Sequence, residues 1–162
     1  TVLESRSPSR HVGSLIVSSP AAVPQIEHVV RRVDIDRDAD LAVANTGSDN
    51  VSILFANGSG GFGAATNFAG GTTPYSLITN DFNGDGNLDV ATGNYNQSNV
   101  SILLGNGLGG LAAGALFASG GPPHRISVGD VNGDGRQDVV TANYGNNTIG
   151  VLLGNGAGGL AH

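Results

Sequence analysis

The chain has 162 residues, a net charge of −6, 12% charged residues and no Cys. It is long enough for one domain with a real core, and a disulfide framework is excluded. No apolar run approaches the roughly 18 residues a membrane-spanning helix needs. The seven basic residues, all Arg, form no stripe of the kind a nucleic-acid surface requires.

Residues 1–27 stand apart from the rest. Residues 1–10 are polar, with Ser5, Ser7, Ser9 and Pro8, and read as an arm. The first residue is Thr1, so a mature, processed or truncated chain is expected. Residues 12–17 (Val-Gly-Ser-Leu-Ile-Val) read as a strand, and Pro20 to Pro24 as a linker.

From residue 28 one unit recurs. Aligning 74–111 with 123–160 matches nineteen of 38 positions, and aligning 40–61 with 89–110 matches twelve of 22, both at an offset of 49 without a gap. The chain therefore holds three copies, at about 28–75, 76–124 and 125–162. In the second copy a strand at 77–79 enters an acidic stretch and a strand at 88–92 leaves it. Residues 95–99 turn the chain, 100–104 return, Asn106-Gly107 marks a tight turn, and 115–118 make a fourth strand. Four antiparallel strands in about 45–50 residues is the format of a propeller blade. The third copy stops at Leu160-Ala161-His162, before the place that Leu116-Phe117 hold in the second. One end lacks a strand and the other carries a spare one. Residues 12–17 are thus expected to complete the fold, either within one chain or by donation between chains.

Ten of the thirteen acidic residues fall in three clusters. The second reads Asp81-Phe82-Asn83-Gly84-Asp85-Gly86-Asn87-Leu88-Asp89. Oxygen side chains stand at positions 1, 3, 5 and 9, Asn87 can offer its carbonyl at position 7, and Gly86 permits the sharp turn. That is the ligand spacing that begins an EF-hand loop. Packed carboxylates repel unless a cation lies among them, and hard oxygen donors select Ca²⁺ over Zn²⁺. No Glu stands at position 12, so Asp89 is expected to close the coordination. The third cluster repeats the design with Asp130, Asn132, Asp134, Arg136 (through its carbonyl) and Asp138. The first, Asp34, Asp36, Asp38 and Asp40, is degraded: two residues are missing and Ala39 replaces the turn Gly. An Asx-rich turn without metal is the competing reading.

The DxNxDGxxD loop, the apolar strand after it, the Asn-Gly turn and the step at Gly60-Gly61-Phe62 resemble the FG-GAP (VCBS) repeat of integrin α-type propellers. The resemblance covers roughly 28–162. It implies an all-β fold of four-stranded blades, calcium held by Asp81, Asn83, Asp85 and Asp89 and by Asp130, Asn132, Asp134 and Asp138, a secreted or cell-surface location, and a binding or scaffolding role. Closed propellers need at least about four blades. Three copies leave both flanks open, so an incomplete propeller is expected.

Five N-glycosylation sequons begin at Asn50, Asn57, Asn96, Asn99 and Asn146, all in or beside turns that the repeat places on one side. His11, His28, His124 and His162 show no catalytic or metal spacing, and no GxSxG, HExxH or Walker motif occurs. An enzyme is not expected. Tyr95 and Tyr144 share a repeat position, either as packing or as a surface on which a sugar stacks. Two functions follow. The first is an extracellular calcium-binding structural protein that self-assembles as a homo-oligomer or polymer, by strand exchange or head-to-tail stacking. The alternative is a carbohydrate- or protein-binding adhesion module.

Overall fold

The computed structural model describes residues 25–29 and 39–162. It contains three four-stranded antiparallel sheets. Blade 1 comprises β1 (Gln25–Val29), β2 (Leu41–Asn45), β3 (Asn50–Leu54) and β4 (Thr66–Ala69). Blade 2 comprises β5 (Pro74–Asn80), β6 (Asp89–Asn94), β7 (Asn99–Leu103) and β8 (Ala115–Ala118). Blade 3 comprises β9 (Pro123–Gly129), β10 (Asp138–Asn143), β11 (Thr148–Gly154) and β12 (Leu160–Ala161). The strands of blade 2 are those the pattern anticipated, and the acidic stretches lie between β5 and β6 and between β9 and β10. The strand expected at 12–17, Asp34, Asp36 and Asp38 lie outside the described residues.

Each hairpin turn after a blade's second strand ends on a left-handed residue: Asp49 (φ 54°), Ser98 (φ 51°) and Asn147 (φ 55°). Asp and Asn tolerate that conformation because their short side chains bond locally. Behind the turns, buried side-chain amides tie the strands together. Asn94 donates from Nδ2 to Asn99 Oδ1 (2.8 Å) and Ser101 Oγ (2.6 Å). Asn45 does the same to Asn50 Oδ1 and Ser52 Oγ. The recurring Asn is therefore a cross-strand clamp, half-buried at Asn45 and buried at Asn94, where its amide is satisfied.

The core is not inside any one sheet but between them. Ala42, Ala44, Val51 and Ile53 of blade 1 meet Leu77, Val90 and Leu103 of blade 2. Phe82, Ala91, Val100 and Ile102 of blade 2 meet Val139 and Leu152 of blade 3. Strand alternation makes this possible, since each sheet has one face for each neighbour. At the outer part of both seams a bulky residue seats on a glycine. Phe55 lies against Gly109, and Leu104 lies 2.8 Å from where a Cβ on Gly158 would be. Gly158 also donates its N–H to the Phe82 carbonyl at 3.0 Å.

One expectation is modified. β12 is a fourth strand of blade 3, pairing Gly154 with Leu160 and Leu153 with Ala161. By the 49-residue offset it is the counterpart of the single bridge Gly105↔Leu111 in blade 2, not of β8. Among the described residues, no strand lies beside residues 148–152 of β11 in the way that β8 flanks β7.

Candidate functional site

The antiparallel layout puts the acidic loops at one end of the blades and the hairpin turns at the other. At the loop end, Asp81 caps its own loop. Its Oδ1 accepts from Gly84 N (2.7 Å) and Asp85 N (3.2 Å), and its Oδ2 from Gly86 N (2.9 Å). Gly84 and Gly86 take φ of 77° and 85°, which a side chain would resist. Asn83 accepts from Asp85 N through Oδ1 and donates from Nδ2 to Asp85 Oδ2 (2.9 Å). Asp85 Oδ1 accepts from Asn87 N at 2.7 Å. The third loop repeats this bond for bond, with Asp130, Asn132 and Asp134 in the same roles and Arg136 N as donor to Asp134 Oδ1 (2.9 Å). The Arg136 guanidinium lies 3.7 Å from Asp134 Oδ2.

Asp89 and Asp138 have a task that spacing alone does not reveal. Both are fully buried. Asp89 accepts from Phe82 N at Oδ2 and from Gly105 N at Oδ1, both at 2.8 Å, and so bolts the loop to the turn after β7. Asp138 does the same with Val131 N (2.9 Å) and Gly154 N (2.8 Å). Asp40 accepts from Ala56 N at 3.0 Å, so the degraded first copy keeps this contact. Burial raises the Asp89 carboxyl above its ordinary range, its two backbone donors act against that, and the nearby Asp85 and Asp81 charges add to the rise. Asp85 is held low by the N–H of Asn87 and the Asn83 amide, and Asp130 by the N–H of Gly135. Among the described residues, no three His, Cys, Asp or Glu side chains converge on one point as a ready-made metal cage. The donor set is nonetheless all oxygen, on loops whose only other charge is Arg136, and suits a hard cation.

At the turn end, all three tyrosines of the chain join one row. Tyr75 at the start of β5 lies 5.1 Å from Tyr95 and 5.1 Å from His124, centroid to centroid. His124 at the start of β9 lies 5.7 Å from Tyr144. The row crosses the seam between blades 2 and 3. Tyr144 ends it, 73% exposed. Beside it a surface concavity of about 280 Å³ is lined by His124, Arg125, Asn143, Tyr144, Asn147 and Thr148. Asn143 Oδ1 is buried and has no partner among the described residues. In blade 2 the Thr92 hydroxyl lies within reach of both the Gly70 carbonyl and the equivalent oxygen of Asn94 (3.2 Å), whereas the Thr141 hydroxyl reaches the Ser119 carbonyl, the counterpart of Gly70. Thr73, two residues before Tyr75, holds φ 57°, a rare conformation for a β-branched residue. Asp49 Oδ1 accepts from its N–H (2.7 Å), and Asn96 Nδ2 donates to its hydroxyl (2.7 Å). Tyr75 and His124 escaped the sequence reading because they share a repeat position but not a residue type.

The sequons divide between the two ends. Asn50, Asn96, Asn99 and Asn146 sit around the hairpin turns. Asn57 instead caps the turn beyond β3, at the loop end, where its Oδ1 accepts from Ser59 N and Gly61 N. The expectation that all five share a side is corrected on that point. Asn57, Asn96 and Asn146 are exposed, while Asn50 and Asn99 are half-buried and accept the clamp amides.

Blades joined face to face, two of them with a described Asx-rich loop between their first two strands, define a propeller-type repeat protein. The FG-GAP-like repeat pattern matches residues 33–92 and 81–141, and the FG-GAP repeat pattern matches 123–161. The chain belongs to the FG-GAP repeat family. No curated protein matches it. Among solved structures it is similar to an Agrocybe aegerita lectin, whose structure was described for specific recognition of non-reducing terminal N-acetylglucosamine. The identity is 24% and the TM-score 0.53, over 81% of this chain. The match spans 35% of the lectin chain. At that identity the likeness speaks for the fold. No helix among the described residues is long and apolar enough to cross a membrane.

Proposed function

We propose that the chain is an extracellular carbohydrate-binding module, with its loops stabilised by Ca²⁺ and its sugar contact at the aromatic end. The observation that carries this is the row Tyr95–Tyr75–His124–Tyr144 beside a surface concavity. A pyranose presents an apolar C–H face that stacks on an aromatic ring and a rim of hydroxyls that need partners. Tyr144 supplies the exposed ring, and Arg125, Asn147 and Thr148 supply donors and acceptors. The similar lectin chain makes N-acetylglucosamine-terminated glycans the first ligands to try. Calorimetric titration with such a glycan, with Tyr144→Ala as the comparison, tests the reading. Saturable binding that falls at least about tenfold, or about 1.4 kcal/mol, in a variant of unchanged circular dichroism is the expected result. Binding untouched by the substitution, or no binding across a glycan array, sinks it.

The calcium half of the proposal rests on donor chemistry. Asp81, Asn83, Asp85, the Asn87 carbonyl and Asp89 would hold one ion, and Asp130, Asn132, Asp134, the Arg136 carbonyl and Asp138 the second. The ion would supply charge compensation and cross-linking of the loop, not catalysis. A second reading, a self-assembling structural protein, draws support from the apolar face that blade 3 leaves uncovered.

A further inference from the structure

Five Asn-Gly dipeptides stand in the chain, at Asn57-Gly58, Asn83-Gly84, Asn106-Gly107, Asn132-Gly133 and Asn155-Gly156. In such a pair the Gly nitrogen can attack the side-chain amide carbon of the Asn before it, because no side chain on the Gly obstructs the approach. The fold divides the five into two sets. Asn57, Asn106 and Asn155 are exposed and open the turn beyond each blade's third strand. In each, the amide Oδ1 accepts two backbone N–H groups: Ser59 and Gly61 on Asn57 (both 3.0 Å), Leu108 and Gly110 on Asn106 (both 2.9 Å), and Ala157 and Gly159 on Asn155 (2.8 and 2.9 Å). Two fixed donors on one carbonyl oxygen form an oxyanion hole: they draw electrons from Cγ and hold the charge the oxygen gains under attack. Among the described residues, the N–H groups of Gly58, Gly107 and Gly156 meet no acceptor.

The acidic loops lack this arrangement. Gly84 donates its N–H to Asp81 Oδ1 and Gly133 to Asp130 Oδ1, both at 2.7 Å. The attacking nitrogen is thus occupied, and removing its proton would set a second negative charge beside the carboxylate. Asn83 and Asn132 have one N–H on Oδ1 in place of two. Their Nδ2, the leaving nitrogen, is tied to the Asp85 and Asp134 carboxylates. We propose that Asn57, Asn106 and Asn155 are sites of intramolecular deamidation and that Asn83 and Asn132 are protected from it. The Gly nitrogen gives its proton to solvent base and bonds to the Asn Cγ. The Cγ–Nδ2 bond breaks, Nδ2 takes up a proton and leaves as ammonia, and a five-membered imide remains. Water adds to one of the two imide carbonyls and breaks its C–N bond, leaving aspartate or isoaspartate. Where aspartate forms, its carboxylate inherits the two N–H donors, which hold an anion more strongly than a neutral amide. Asn106 and Asn155 directly follow Gly105 and Gly154, whose N–H groups bond Asp89 and Asp138. Each conversion there adds a negative charge close to an acidic loop, so the protein grows more acidic beside these loops as it ages. This inference goes beyond the carbohydrate and calcium readings and stands without either.

The test is timed incubation of the 162-residue chain at mildly alkaline pH, folded and in urea, with peptide mass mapping of all five sites. Chelator is present throughout, so that no metal adds to the protection of the loops. In the folded chain, conversion at Asn57, Asn106 and Asn155 is expected to run at least about tenfold faster than at Asn83 and Asn132. In urea the gap should close, because the hydrogen bonds that separate the two sets are gone. Asp81→Ala frees the Gly84 N–H and should speed conversion at Asn83 while leaving Asn57 unchanged, with far-ultraviolet circular dichroism checking the fold. Turns that stay intact in the folded chain, or loops that keep pace with them, overturn the inference. So does a gap that persists in urea, which would put the cause in the flanking sequence and not in the fold, or an Asn83 rate that Asp81→Ala leaves untouched.

Discussion

Replacing Asp89 by Ala separates the two tasks assigned to this residue. Its carboxylate accepts two backbone N–H groups, from Phe82 and Gly105, in a fully buried setting. Alanine leaves both donors unpaired, at about 1–3 kcal/mol each. Part of that loss is offset because burial of the carboxylate is itself unfavourable, as its raised pKa shows. The net cost is about 3 kcal/mol. With a urea dependence of about 2 kcal/mol/M, the unfolding midpoint falls by about 1.5 M. The assay is urea unfolding of wild type, Asp89→Ala and Asp85→Ala, each in chelator and in excess calcium. In chelator only the cap is at stake, so Asp89→Ala suffers most of its loss there, while Asp85→Ala, whose bonds are exposed, changes little. Calcium then widens the gap between wild type and both variants. If Asp89→Ala in chelator behaves like Asp85→Ala, the cap argument is wrong and the residue matters only as a ligand.

Calcium at about a hundred times its dissociation constant should add about 2.7 kcal/mol per site and raise the melting temperature by several degrees, and a temperature indifferent to EDTA would refute the metal assignment. In chelator, Asp85 and Asp130 contribute stability that is present above their unfolded value of 3.8 and lost as the pH falls through their lowered folded values. Asp89, raised from 3.8, works the other way and favours the fold as it protonates between its raised value and 3.8. The variant Asp85→Asn/Asp130→Asn should therefore lose less of its urea midpoint than wild type below pH 3.8; equal slopes would contradict the assignment. Gly158→Val forces a β-branched residue into φ 77° and against Leu104; it should cost about 3 kcal/mol, read by the same unfolding assay, and a neutral result would mean that the knob-on-glycine seam carries little.

Much of this molecule was legible without coordinates. The 49-residue offset named the blade, and the alternation of apolar residues placed the four strands of blade 2 to within about three residues, because period-2 burial is a local property of a pleated chain. The Asp81 and Asp130 loops were legible for the same reason: every bond that the Asp81 and Asp130 carboxylates accept spans five residues or fewer. What the tertiary structure alone decided lies between blades. Phe55 reaches Gly109, Leu104 reaches Gly158, and Tyr75 meets His124 because rigid sheets are laid face to face, and no periodicity within one strand encodes that placement. Asp89 read as a ligand from its spacing and proved also to be a buried cap, since Gly105, its second donor, follows the neighbouring strand β7 and lies 16 residues on. The same separation explains the open face of blade 3. Its residues carry the alternation of a buried strand, but whether anything covers Ile149 and Leu153 depends on which surface packs against them, which the alternation does not specify.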